Sequence, residues 1–192
     1  MKTIKNLAFL IAAAILMTGC AHSIQMTPNL ESLRTQDVTK STTVAGYYIS
    51  QADLLKEVNT PGGGGDSVKY TPYKDTEAAL KTILSTRFAQ VFALSSASSD
   101  PLIQEKKIRL IFTPTITTSS SSSSAFTWPP TDFKVELTCT ATLPDGKETW
   151  KKTVTGTGHA EFDEFKSDFS LSAKRATQDA FIKMRGELSS LK

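Results

Sequence analysis

The stretch FKVELTCTATLPDGKETWKKTVTG, residues 133–156, decides the fold. Phe133, Val135, Leu137, Cys139, Ala141 and Leu143 alternate with Lys134, Glu136, Thr138, Thr140 and Thr142. Strict alternation is the mark of a strand with one buried and one solvated face. Pro144-Asp145-Gly146-Lys147 then supplies a turn, and Asp-Gly between two such runs signals a two-residue hairpin loop. Folding the chain back across it sets Ala141 opposite Trp150 and Leu137 opposite Val154, apolar against apolar. It also sets Cys139 opposite Lys152, the one awkward pair, and turns the thiol toward the core.

The same period of two holds upstream. Ile108, Leu110, Phe112 and Ile116 are expected on one face, with Arg109, Thr113 and Thr115 pointing away. Pro114 has no amide to donate, so this strand is expected to lie at an edge there or to carry a bulge. Thr43 to Ser50 is β-branched and aromatic and reads as a first strand. Asn59 to Ser67 contains Gly62 to Gly65 and is expected to be a loop.

Two segments change to helical spacing. From Asp75, a candidate cap, the apolar stripe is Leu80, Ile83, Leu84, Phe88, Val91 and Phe92, with Ser95 to Pro101 ending the helix. The second helix, capped by Ser167 or Asp168, has the stripe Ala173, Ala176, Ala180, Phe181, Met184, Leu188 and Leu191. Gly186 weakens its last turns by up to about 1 kcal/mol. The expected fold is α+β, a small, mostly antiparallel sheet in β-α-β-β-β-α order with two amphipathic helices packed on one face.

The N-terminus sets the location. Lys2 and Lys5 precede the wholly apolar run Leu7 to Met17, and the run stops at Gly19-Cys20. A basic start and a short apolar run make a signal peptide removed from the mature chain, and the run is shorter than the ~20 apolar residues that span a bilayer. Met17-Thr18-Gly19-Cys20 resembles the lipobox of bacterial lipoproteins, although Met17 stands where Leu is usual. The resemblance implies cleavage before Cys20 and acylation of that residue. Ala21 in the next position implies sorting to the outer membrane. One acyl chain holds a protein marginally, whereas several make attachment effectively permanent. The expected division is a signal at 1–19, an anchor and flexible tether at 20–41, with a short strand around Ser23 to Thr27, and one domain at 42–192.

Removing Lys2 and Lys5 from 22 basic residues leaves 20 against 19 acidic ones, so the net charge falls from +3 to +1. Nothing in this balance suggests a nucleic-acid surface, which needs a concentrated basic patch. With Cys20 acylated, Cys139 has no partner for an intramolecular disulfide.

The lipobox, the run Ile24-Gln25-Met26-Thr27-Pro28, the helix Glu77 to Phe92, the hairpin Val135 to Val154 with its turn Leu143 to Lys147, and the C-terminal helix together resemble the YajG family of outer-membrane lipoproteins. The resemblance covers nearly the whole chain and departs from the family at Gly62 to Gly65 and Ser119 to Ser124. It implies a location and a fold, and no activity. More loosely, the layout resembles accessory lipoproteins of lipopolysaccharide and phospholipid transport.

The supply of catalytic chemistry is poor. His22 lies two residues from the anchor, and His159 follows Gly156-Thr157-Gly158. Neither has a second histidine or a cysteine at metal-ligand spacing, so no metal or cofactor is expected. His159 near Glu161, Asp163 and Glu164 reads as a solvated acidic loop or a weak cation site. Gly62 to Gly65 lacks the Gly-Lys-Ser/Thr ending of a phosphate loop.

The expected function is a non-catalytic, lipid-anchored envelope lipoprotein that binds an envelope protein, glycan or lipid on the periplasmic face of the outer membrane. The alternative is a small periplasmic hydrolase, which an acid-lined pocket around His159 would favour. Phe126 and Trp128, in the loop Thr117 to Thr131, are the candidate partner contacts. They either fold back to close the core or form an exposed aromatic tip held away from the anchor by the domain.

Overall fold

The computed structural model describes residues 21–34, 39–62, 66–122 and 129–191. The strands are β1 (Ala21–Ser23), β2 (Ser41–Tyr48), β3 (Val58–Pro61), β4 (Ser67–Tyr70), β5 (Phe88–Leu94), β6 (Leu110–Ser121), β7 (Asp132–Thr142) and β8 (Glu148–His159). The helices are α1 (Leu30–Leu33), α2 (Gln51–Leu54), α3 (Pro72–Arg87), α4 (Pro101–Glu105), α5 (Phe162–Phe165) and α6 (Leu171–Ser189). Helices and sheets are mixed as an α+β fold, but the sheet is larger than expected and is not mostly antiparallel. Five strands run in the order β5-β2-β6-β7-β8 and three in the order β1-β4-β3.

The hairpin keeps the expected register. Ala141 pairs with Trp150, Leu137 with Val154 and Cys139 with Lys152. Lys152 resolves the awkward pair by reaching past the sheet edge to Glu187 on α6, at 3.3 Å. The turn differs from the two-residue loop. The Leu143 and Gly146 amides donate to the Lys147 and Leu143 carbonyls, both at 2.9 Å. Pro144 to Gly146 thus forms a three-residue loop, with Gly146 at φ +85°. A one-residue irregularity between Ala141 and Thr142 compensates.

On the other side, β6 is parallel to β2 only from Leu110 to Phe112. Pro114 comes just after, where β6 has lost that neighbour, which is why a missing amide costs nothing there. Beyond it the Ile116 amide donates to the Tyr73 hydroxyl at 3.2 Å, and Tyr70 bonds Thr118 at 2.6 Å.

The first helix is the main correction. It begins at Pro72 and stops at Arg87, and Phe88–Leu94 is the strand β5, parallel to β2. Phe88, Val91 and Phe92 fit a helical stripe and a strand equally, and no Gly or Pro marks the change. Pairing with β2 decides the outcome. Parallel neighbours need crossover connections, and α3 links β2 to β5 while α4 links β5 to β6. Asp75 is not the cap. It sits one turn inside α3, where its carboxylate accepts the Met26 amide and the Thr71 hydroxyl, each at 3.0 Å.

As expected, the two long helices share one face of the sheet. Leu80, Ile83 and Leu84 of α3 and Ala173, Ala176, Ala180, Phe181, Met184 and Leu188 of α6 are buried with Val135, Leu137 and Cys139. A second small cluster on the opposite face joins Leu94, Ile103, Ile108 and Ile111 beneath α4. Ile108 therefore leaves the face it was expected to share with Phe112.

The described stretch 21–34 of the expected flexible tether is also packed. Ile24, Met26 and Leu33 belong to the main core. The segment runs across the N-terminal ends of α3 and α6, with the Gln25 amide donating to Ser170 Oγ at 3.0 Å. Apolar groups at Ile24, Met26 and Pro28 alternate with polar ones, so an extended chain buries one side only.

Candidate functional site

Carrying the hairpin register outward from Ala141–Trp150 brings Asp132 opposite His159, and β6 adds Ser121 to the same row. The His159 ring bonds Asp132 Oδ1 through Nδ1 at 2.8 Å and Glu161 Oε1 through Nε2 at 3.0 Å. Two carboxylate acceptors require both ring nitrogens to donate, which only the imidazolium does. The hydrogen bond to Asp132, then that to Glu161, holds the His159 pKa above its ordinary 6.5. The same contact with His159 lowers Asp132.

A second ion pair braces this cluster. Arg175 of α6 grips Glu164 with two bonds of 2.7 and 3.0 Å, and also donates to the His159 carbonyl at 2.8 Å. The Arg175 hydrogen bonds, helped by the Glu161 amide, hold the Glu164 carboxyl down at about 2. Glu161 and Glu164 form a reciprocal capping box at the start of α5.

A cavity of about 690 Å³ opens beside the cluster, lined by Ser119, Ser121, Asp132, Phe133, Lys134 and His159 among others, and Asp132 is the one acid among its described lining residues. Its lining is mixed, with Phe133 among the polar side chains, and its chemistry is limited by the order of the row. Asp132 stands between Ser121 and His159, whereas a serine nucleophile needs the histidine next to it. His159 has both ring nitrogens engaged by carboxylates, so as arranged neither is free to act as a base or a metal ligand. Among the described residues no three of His, Cys, Asp and Glu are grouped to hold a metal ion.

The remaining candidates are spread out. Cys139 is buried beneath the helices as expected, and burial pushes its thiol up to about 12, so no thiolate is available near neutral pH. His22 faces Asp66 at 3.3 Å. The described ends of the glycine run are closed by a bond from the Gly62 amide to the Asp66 carbonyl, and α3 starts only at Pro72. No helix amide therefore follows the run to cradle a phosphate. Cys20, Phe126 and Trp128 lie outside the described residues.

The stems of the Phe126 and Trp128 loop are placed, although the two aromatic residues are not among the described ones. Ser120 Oγ donates to the Pro61 carbonyl, Pro61 pairs with Ser67, and Ser67 pairs with Ala21. The loop therefore leaves the sheet at the same end as the residue that follows Cys20. The domain does not hold the loop stems away from Ala21.

Sequence reasoning missed Asp132 and Arg175 as partners of this cluster. Asp132 was within reach, since it lies on the register already drawn. Arg175 was not, because it comes from a helix whose placement on β8 has no local signal. Among the described residues no helix is long and apolar enough to cross a membrane.

No family model matches the chain, and no curated protein matches it. Among solved structures it is similar to a Helicobacter pylori protein, a putative neuraminyllactose-binding hemagglutinin homolog, at 10% identity and TM-score 0.49 over 86% of this chain and 91% of that one. It is similar to a Xanthomonas campestris protein of family model DUF330 at 12% identity and TM-score 0.41, over 90% and 99%. A putative lipoprotein from Caulobacter crescentus gives 12% identity and TM-score 0.35, over 76% and 88%. These likenesses are of outline only, and any function has to rest on the chain's own residues.

Proposed function

We propose that this chain is a non-catalytic, YajG-like lipoprotein, acylated at Cys20 and held at the periplasmic face of the outer membrane. There it acts as a binding or accessory module for an envelope protein, glycan or lipid. The observation that carries the reading is the direct step from Met17-Thr18-Gly19-Cys20 into β1 at Ala21. The apolar run stops at Gly19-Cys20 and the described fold begins at Ala21, which supports reading the cysteine as an attachment point.

The non-catalytic side of the reading is supported by where the reactive groups are used. His159 bridges two carboxylates, Arg175 is committed to Glu164, and the Cys139 thiol is buried. The His159 and Arg175 contacts join β7, β8, α5 and α6, so these groups are used to hold elements together.

The test is palmitate labelling in a Gram-negative host. The wild-type chain should incorporate label and fractionate with the outer membrane, and Cys20→Ser should do neither. Equal labelling of the two would remove the anchor from the reading. Crosslinking and mass spectrometry of the acylated protein would then identify what it binds.

A further inference from the structure

The first strand leaves no slack between the acylated residue and the fold. Ala21 is already paired with Ser67, and the chain stays docked from there: the Ile24 amide donates to the Lys69 carbonyl at 3.0 Å and the Met26 amide to Asp75 at 3.0 Å. Ile24 and Met26 are buried, so peeling this segment away would expose core. Consecutive Cα atoms lie about 3.8 Å apart, which puts the acylated residue within one step of β1.

The described groups around that point come from three places. They are Ala21 and His22 of β1, the Gly62 and Asp66 ends of the β3–β4 connection, and the Ser119–Ser121 end of β6, which lies beside Asp132 and His159. Two ladder spacings of about 4.8 Å each and one side-chain hydrogen bond separate Ala21 from Ser120. The Pro144–Gly146 turn is at the other end of β7, whose eleven residues at about 3.3 Å each extend the domain by roughly 33 Å.

Resting on the reading of Cys20 as the lipid anchor, we propose that this end of the domain stands directly on the bilayer. The headgroups face Gly62, Asp66 and Ser119 to Ser121, and the Pro144–Gly146 turn points into the periplasm. The occupant of this face is the lipid surface of the protein's own membrane. The cavity beside His159 therefore opens close to the headgroups, while the β7–β8 turn is the part offered to partners away from the membrane. Little area is needed, since the acyl chains supply the affinity and the packed strand supplies the orientation.

The experiment uses the full-length acylated protein in phosphatidylethanolamine–phosphatidylglycerol vesicles carrying a nickel-chelating lipid. Single nitroxides are introduced at Ser119→Cys, Ser121→Cys and Lys147→Cys. All three sites are exposed, and the buried Cys139 does not compete for label. Labels at 119 and 121 should relax several-fold faster with the nickel lipid than the label at 147. Inserting a long Gly-Ser linker between Cys20 and Ala21 should abolish that difference while the protein still floats with the vesicles.

Flotation with equal or reversed relaxation at 121 and 147 would overturn the orientation and leave the anchor standing. A difference that survives the linker would show that the strand does not set the orientation and would also overturn the proposal. Loss of flotation in the unaltered protein would overturn the anchor and the orientation together.

Discussion

Gly156 of β8 lies directly beneath Ala176 of α6: a Cβ placed on Gly156 would come within 2.1 Å of the Ala176 carbonyl oxygen. Two residues on, a Cβ on Gly158 would meet the Ser172 carbonyl oxygen at 2.1 Å. The Gly156-Thr157-Gly158 exit and the Ala173, Ala176 and Ala180 stripe are two halves of one contact, small residues letting a helix rest on the strand backbone. The obstacles are main-chain atoms, which no rotamer change can clear. Gly156→Ala should therefore cost about 3 kcal/mol, at the upper end of overpacking effects, read as a lower denaturation midpoint. A loss under half that size would mean that α6 sits further from β8.

Gly186, also in α6, is the opposite case. Nothing lies within 4 Å of a Cβ placed there, and the position is exposed. Gly186→Ala should stabilise the fold by up to about 1 kcal/mol, because alanine loses less backbone entropy in a helix. The melting temperature should rise by about 2–4 °C. An unchanged or lower melting temperature would show that the end of α6 is frayed in solution.

The elements legible in the sequence were those whose signal is local. The β7–β8 register follows from an unbroken period of two, and it carried as far as Asp132–His159. The α6 stripe was equally plain. Phe88–Leu94 failed because its apolar spacing suits both elements and its partner residues in β2 lie 46 or 47 positions earlier in sequence. Parallel pairing leaves no mark on either strand alone. The segment from Ile24 to Leu33 failed because isolated apolar residues among polar ones look like a tether until the ends of α3 and α6 are there to receive them. The Glu164–Arg175 pair depends on the packing of α6 against β8, which likewise has no local signal.

The thiol of Cys139 lies under α6 and has no exposed surface. A maleimide should fail to modify it in the folded protein and react at once in denaturant. Cys139→Ala should cost about 1 kcal/mol, close to the value of one buried methylene. Fast modification of the native state would mean that the sheet opens locally far more often than its packing implies.

The His159 cluster makes stability depend on pH in a defined direction. Because its folded pKa is raised above 6.5, the contribution of His159 is complete below that value and is lost as pH rises through the raised one. Asp132 is lowered from 3.8, so its contribution is present above that value and is lost as pH falls through the lowered one. The difference in denaturation midpoint between wild type and His159→Gln should be largest between those limits and shrink on both sides. A difference that is flat with pH would show that the imidazolium bridge does not form in solution.

The last prediction separates a docked N-terminal segment from a loose one. Met26 has no exposed surface and packs in the main core, and its amide is held by Asp75. In a free tether the side chain would touch nothing, and Met26→Ala would leave stability unchanged. In a core position the same substitution removes buried atoms and leaves a cavity, which costs about 2–5 kcal/mol. Asp75→Asn removes the charge from the acceptor for the Met26 amide while keeping an oxygen in place, and should cost much less. If the segment is docked, Met26→Ala should also speed proteolysis between residues 21 and 40 without first unfolding β6 to β8. Unchanged stability in Met26→Ala would return residues 21–40 to the role of a tether, and with them would go the fixed orientation of the domain on its membrane.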